Sequence, residues 1–222
     1  KLSSKQRLRD ADLPTPAWSA DGTGLDPALP VIVKSVHEDA SFGLDAHSVV
    51  TGADAASKIA REARRWGGAW FAEAYIDGRE FNLSLIEIGG SVRVLPVAEI
   101  EFRDYAPEQL RLVDYEAKWN ADSFGYRNTV RTFLTDPKDA PLIAELSRIA
   151  VACWDLFDLT GYARVDFRVD RDGSPFVLEV NANPCLSSDA GFMAAAARAG
   201  LSPDDVIRHV LASAGVILDR AA

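Results

Sequence analysis

Residues 163–183, ARVDFRVDRDGSPFVLEVNAN, hold two alternating runs on either side of Asp172-Gly173. An Asp-Gly pair between such runs is the strongest short-range signal for a β-hairpin. A two-residue turn there sets the register: Phe167 faces Leu178, Val165 faces Val180 and Val169 faces Phe176, making one apolar face. The other face sets Asp166 against Glu179 and Arg164 against Asn181. Directly opposed carboxylates stand roughly 5 Å apart at Cβ and repel each other. Such a pair needs a cation between its members, or a proton on one of them. Asp, Glu and Asn oxygens suit Mg2+, which takes one or two carboxylates together with substrate phosphates. A solvated polar face with a chance clash is the plainer reading of the same residues.

At 48% hydrophobic and 26% charged over 222 residues, the composition is that of an ordinary globular chain. The length suffices for one large domain or two small lobes sharing a core. A net charge of −9 argues against a surface that tracks nucleic-acid phosphates. Cys153 and Cys185 form neither a disulfide framework nor a metal motif. No apolar run approaches the roughly 20 residues of a membrane span, and no signal peptide is evident, so a cytoplasmic location fits best. The chain opens on Lys1, directly inside a helix-like run, which suggests part of a longer protein.

Along the chain, residues 2–11 are predicted as a helix stopped by Pro14-Thr15-Pro16. PVIVKS at 30–35 is a buried strand, 37–47 a loop and 48–50 a short strand. Helical spacing over 53–66 puts Ala56, Ile59, Ala60 and Ala63 on one side. Strands follow at 69–76 and 80–88 around Asp77-Gly78, and a third at 91–99 after Gly89-Gly90. Residues 103–130 are irregular, which suggests a functional loop. A helix at 141–157, the hairpin, and helices near 189–199 and 203–214 complete the chain. Ser202-Pro203-Asp204-Asp205 is a well-formed helix start. The pattern is α+β with antiparallel hairpins and lacks the strict βαβ alternation of a doubly wound sheet. It has no Gly-x-Gly-x-x-Gly and no Walker-type loop, so any nucleotide must be gripped otherwise.

Three further segments bear chemistry. Lys34 ends an apolar strand and must either snorkel out or meet an anion. The loop after it, with Ser41 and Gly43, lets backbone N–H groups and a hydroxyl approach phosphate oxygens. Glu73 to Glu80 place two acids on strands beside a turn, where a base could bond to backbone and a carboxylate could take ribose hydroxyls. Asp114 to Trp119 set a second lysine, Lys118, in the irregular segment. Taken singly, each is as readily an ordinary solvated surface feature.

Together, KLSSKQRLRDADLPTP, PVIVKS, the 38–43 loop, EAYIDGREF, DYEAKW, RVDF and LEVNANP resemble the ATP-grasp family, and within it the D-alanine–D-alanine ligases, from Lys1 to about residue 214. The resemblance implies an ATP-grasp fold with ATP held between two α+β lobes. A smaller lobe with a phosphate lid would span about 15–75. A larger one with the metal site would span about 76–222, and the family's N-terminal substrate domain would be absent from this chain. It also implies a role for each matching residue. Lys1 and Lys34 would contact ATP phosphates, Ser41 would sit in the phosphate lid, and Glu38 beside it would belong to the ATP-binding set. Glu73, with Ala74, Tyr75 and Ile76, would face adenine, and Glu80 the ribose. Lys118 would reach the γ-phosphate. Asp166, Glu179 and Asn181 would hold two Mg2+ ions, with Mn2+ as a substitute. Arg164, aided by Lys118 and Ser41, would serve the reaction itself by holding the substrate carboxylate and the developing oxyanion. The implied activity joins a carboxylate to an amine through an acyl phosphate, with ATP and amino acids, D-alanine among them, as small-molecule substrates. The implied setting is peptidoglycan precursor synthesis, and the resemblance allows a homodimer.

Four departures bear on the substrate. Ala40 precedes Ser41 where these ligases usually carry two serines. Trp119 stands where they usually carry Tyr, or Phe in relatives that make ester-linked products. Cys185 replaces a glycine, and Ser187 to Phe192 replace the segment that binds the second carboxylate. A ligase for another amino acid or peptide in natural-product assembly therefore stays open, as does a non-catalytic ATP-binding module.

Overall fold

The structure is a computed structural model that describes residues 1–216. In chain order the elements are α1 (Leu2–Asp10), β1 (Trp18–Ser19), β2 (Pro30–Ser35), β3 (Val49–Thr51), α2 (Ala55–Trp66), β4 (Trp70–Ala74), β5 (Gly78–Ile88), β6 (Ser91–Val94), β7 (Ala98–Phe102), α3 (Tyr115–Trp119), α4 (Phe124–Asn128), β8 (Thr129–Phe133), α5 (Ala140–Leu156), β9 (Tyr162–Asp170), β10 (Pro175–Asn181), α6 (Gly191–Arg198) and α7 (Pro203–Ser213). Part of the predicted final stretch, residue 217 onward, lies outside the described residues.

The chain divides into two compact units, each discontinuous in sequence. The first comprises Lys1–Gln6, Thr15–Gly78 and Glu101–Val130; the second comprises Arg7–Pro14, Arg79–Ile100 and the residues from Arg131 onward. A single cut near residue 76 therefore needs correction, because the segment read as an irregular loop of the larger lobe belongs to the first unit. It is also less irregular than expected: Asp114 caps α3 by accepting from the Ala117 N–H, and Ser123 caps α4 by accepting from the Tyr126 N–H. The strands flanking Asp77-Gly78 are not a hairpin either, since β4 lies in one sheet and β5 in another.

The first unit is built on a four-stranded sheet ordered β1-β4-β2-β3. Val31, Val33, Trp70 and Ala72 pack there under Ala55, Ile59 and Ala63 of α2. The stripe differs from the expected one. Ala56 and Ala60 are exposed, and Lys58 and Glu62, one turn apart, are buried as an ion pair at 2.8 Å. A paired Lys and Glu thus occupy a place that a count of apolar spacing gives to alanine.

The second unit carries the sheet ordered β10-β9-β5-β7-β8, with β6 on β5. Leu146, Ile149, Ala150 and Cys153 of α5 recur at i, i+3, i+4 and i+7, one helical face. They pack on Ala163, Val165, Phe167 and Val169 of β9 and on Phe81, Leu83 and Leu85 of β5. Alternation along these strands turns Glu80, Asn82, Arg164, Asp166 and Arg168 to the opposite face. Further along that face, Ile86 is covered by Phe192, Met193 and Val206 of α6 and α7. The predicted start of α7 is present, with Ser202 and Asp205 capping each other.

Candidate active site

The hairpin is longer at its tip than expected and correct where the chemistry lies. Asp170 and Ser174 close a three-residue loop: the Asp170 N–H donates to the Ser174 carbonyl at 3.0 Å. The Asp170 carboxylate accepts from the Asp172 and Ser174 N–H groups. Gly173 takes the positive φ, +85°, that such a loop requires. Val169 therefore pairs with Pro175 and Phe167 with Val177, one residue away from the expected partners. A bulge between Val177 and Glu179 then restores the offset, so Asp166 pairs with Glu179, Val165 with Val180 and Arg164 with Asn181, as read from the sequence.

On that polar face Asp166 is the hub. Arg164 grips both of its oxygens, Nε to Oδ1 at 2.7 Å and Nη2 to Oδ2 at 2.8 Å. The Asn82 amide donates to Oδ1 at 2.8 Å and the Asn181 amide to Oδ2 at 3.1 Å. The charge of Asp166, with Glu179 and Glu80 behind it, holds the Arg164 guanidinium firmly protonated against the cost of its burial. Glu80 is ion-paired to the buried Arg168 at 2.8 Å. Among the described residues no three His, Cys, Asp or Glu side chains cluster as a metal site. The register sets Asp166 and Glu179 opposite each other with Asn181 two residues along, and carboxylate and amide side chains are of the hard-oxygen type that suits Mg2+.

In the first unit Lys34 meets an anion of the protein itself. Its Nζ lies 2.6 Å from Glu73 Oε1, while Lys5 Nζ lies 2.5 Å from Oε2. Ile32 pairs with Glu73 across β2 and β4, so Lys34, two residues along, sits diagonally across from that acid. Glu73 is 1% exposed. Burial pushes its carboxyl up, but the two ammonium groups and their hydrogen bonds outweigh that and hold it below the usual carboxylate range. Both of its oxygens thus face ammonium groups. The N–H groups of Ala74 and Tyr75 are likewise engaged, by the carbonyls of Ala17 and Pro30. The Tyr75 hydroxyl donates to the Arg111 carbonyl at 3.0 Å.

The 38–43 loop is tied at both ends. Lys1 Nζ contacts Asp39 at 2.7 Å and donates to the Glu38 carbonyl. Ala40 and Ser41 adopt left-handed backbone, at φ 58° and 63°. The Ser41 hydroxyl donates to the Val113 carbonyl at 2.7 Å, the Tyr115 N–H to the Leu44 carbonyl at 3.3 Å, and the Trp119 indole to the Ala40 carbonyl at 3.2 Å. Two of the substitution positions noted above, Ala40 and Trp119, are thus direct partners. Lys118 is exposed in the last turn of α3. Cys185 Sγ lies 3.2 Å from the Ser187 hydroxyl, which donates to Asp189.

Sequence reasoning missed Lys5, Asn82 and Arg168. The last two had a signal: each lies two residues beyond an expected site residue on the same strand, hence on the same face. Lys5 lies one helical turn from Lys1, the same relation at helical period.

Two antiparallel α+β units of this kind, with lysines beside one sheet and an Arg–Asp–Asn face on the other, define an ATP-grasp fold. Residues 24–212 match the model of the family described as D-ala D-ala ligase C-terminus, and the chain belongs to that family. It is 35% identical over 217 residues to an uncharacterized protein of Sinorhizobium fredii, covering 95% of this chain and 61% of the other. It is 30% identical over 220 residues to a D-alanine–D-alanine ligase of Nitrosococcus oceani, covering 96% and 64%. Among solved structures, a Bacillus anthracis D-alanine–D-alanine ligase complexed with ATP aligns at TM-score 0.70 and 23% identity, covering 96% of this chain and 64% of that one. The chain thus spans under two thirds of the length of these relatives. No helix among the described residues is long and apolar enough to cross a membrane.

Proposed function

We propose that this chain is the ATP-grasp region of an ATP-dependent ligase that joins a carboxylate to an amine through an acyl phosphate. The observation that carries the reading is the hairpin face, where Arg164 holds Asp166 with Nε and Nη2 and keeps its Nη1 edge for a substrate oxyanion. A guanidinium suits that task because it matches a planar oxyanion and stays charged. In the reaction a substrate carboxylate oxygen attacks the γ-phosphorus and ADP leaves. An amine nitrogen then attacks the acyl carbon, the carbon–oxygen bond to phosphate breaks, and the amine gives up a proton.

The residues divide the work of holding charge. Lys34 and Lys118 would answer phosphate oxygens, Lys1 and Ser41 would fix the 38–43 loop over them, and Glu80 would accept from ribose hydroxyls. Asp166, Glu179 and Asn181 would hold Mg2+, which would supply positive charge to neutralise phosphate oxygens. An ATP substrate makes the cytoplasm the compartment of the reaction.

D-alanine is the first substrate to test. The Trp119–Ala40 contact favours a second reading, a different amino acid or peptide, because an indole and a methyl group replace two hydroxyl-bearing positions of the ligases that the sequence resembles. Incubating the full-length protein with ATP, Mg2+ and a panel of D- and L-amino acids, and following phosphate release and product mass, tests both. Release stimulated by D-alanine with formation of its dipeptide supports the first, and stimulation by another amino acid the second. ATP binding with no stimulated turnover sinks the ligase reading.

A further inference from the structure

Glu73 is one carboxylate between two lysines, and the three side chains differ sharply in exposure: Lys5 3%, Glu73 1% and Lys34 20%. One lysine suffices to neutralise a buried acid. Here two ammonium groups share the one carboxylate, and burying the second adds a desolvation cost. The group therefore carries a surplus of one positive charge. Lys34 is its most exposed member, so that is where an outside anion can meet the surplus.

The arithmetic changes if Lys5 is removed. Glu73 and Lys34 then form a closed neutral pair, and the carboxylate 2.6 Å from Lys34 Nζ cancels most of the field that an approaching anion would feel. With Lys5 at the opposite oxygen, 2.5 Å away, Glu73 is already answered, and Lys34 acts outward as a full charge. Lys5 is itself well placed to stay: its Nζ also reaches the Thr15 hydroxyl at 3.2 Å, and its backbone N–H donates to the Lys1 carbonyl at 3.0 Å.

We propose that Lys5 is a positioning residue for nucleotide binding: by neutralising Glu73 it keeps the charge of Lys34 available to a phosphate of ATP. The proposal rests on the ATP-dependent reading above. Lys5 touches no phosphate; it acts through Glu73.

The test measures the affinity of the full-length protein for Mg-ATP and for adenosine by calorimetry, in wild type, Lys5→Met, Lys5→Arg and the double variant Lys5→Met/Glu73→Gln. Lys5→Met weakens ATP by roughly tenfold or more, the scale of one surface charge acting on phosphate, and leaves adenosine unchanged. Lys5→Arg keeps ATP binding. The double variant again leaves one uncompensated ammonium, so its ratio of ATP to adenosine affinity returns to that of wild type. Unchanged ATP affinity in Lys5→Met overturns the proposal, as does a double variant as weak as the single one, since both outcomes make Lys5 a packing residue. If Lys5→Met does not fold, the double variant decides alone, because it buries fewer charges; a ratio well below wild type overturns the proposal. Failure of the wild-type protein to bind ATP is a separate result that removes the nucleotide reading itself.

Discussion

Arg164 holds Asp166 with two nearly parallel hydrogen bonds, at 2.7 and 2.8 Å, from a position two residues away on the same strand. Neither side chain is more than a quarter exposed. Arg164→Met leaves Asp166 to the amides of Asn82 and Asn181 alone, and unfolding in urea shows a loss of about 2–3 kcal/mol. On the assignment of Asp166 to a cation site, millimolar Mg2+ recovers part of that loss in the variant and does little to the wild type.

Two glycines separate backbone strain from steric exclusion. At Gly173 a Cβ meets nothing within 4 Å, so Gly173→Ala costs only the left-handed backbone, about 1 kcal/mol. At Gly52 a Cβ falls 2.0 Å from the Asp26 carbonyl oxygen, and Gly52→Ala costs roughly 3 kcal/mol, the upper end of overpacking. Denaturant midpoints of the two variants, compared at equal slope, check the ranking.

The two thiols differ in reactivity. Burial raises the Cys153 thiol to about 12, while the Ser187 hydroxyl and N–H lower that of the exposed Cys185. Iodoacetamide at pH 7.5 labels Cys185 and spares Cys153 in the native protein, with both labelled after unfolding, as read by peptide mass. Equal labelling of both in the native protein contradicts this.

The 40–44 and 113–119 segments share three hydrogen bonds, two of them from side chains, Ser41 and Trp119. Ser41→Ala and Trp119→Phe each remove one, raising amide exchange in both segments together. Global stability moves by less than about 1 kcal/mol, because these are surface openings rather than core contacts. Exchange that rises in only the mutated segment breaks the proposed linkage.

Acid weakens the first unit through Glu73. Its folded carboxyl lies below the ordinary range, so between the ordinary value of about 4.3 and the folded value the unfolded chain binds the extra proton. The stabilisation is complete above that window and is lost as pH falls through it. Urea midpoints of wild type therefore drop on going from pH 5 to pH 3, and the Lys5→Met/Glu73→Gln variant shows a shallower drop.

The faces of the site strands were legible because period-2 alternation around Asp172-Gly173 depends only on local pattern, and the site pairs came out right because the bulge offsets the longer tip. The tip was not: Asp170 offers its carboxylate to two backbone N–H groups, and that side-chain preference lengthens the loop by one residue. The α1–Glu73 contact was hidden for a different reason. Lys5 and Glu73 are far apart in sequence, and nothing local distinguishes a lysine that will be 3% exposed from one that stays in water. The Lys58–Glu62 pair misled the reading of α2 in the same way. Charged residues that bury themselves by pairing defeat any rule that equates charge with surface.

The bulge at Leu178 has a consequence for how this chain tolerates change. It stands between the hairpin tip and the pairs Asp166–Glu179 and Arg164–Asn181, and it absorbs the one-residue phase error that the longer tip introduces. A length change at 171–173 can thus be taken up by gaining or losing the bulge before it reaches the acidic pair. The tip is insulated from the chemistry and can drift, while the segment from Leu178 to Asn181 cannot lose or gain a residue without turning the site to the wrong side of the sheet.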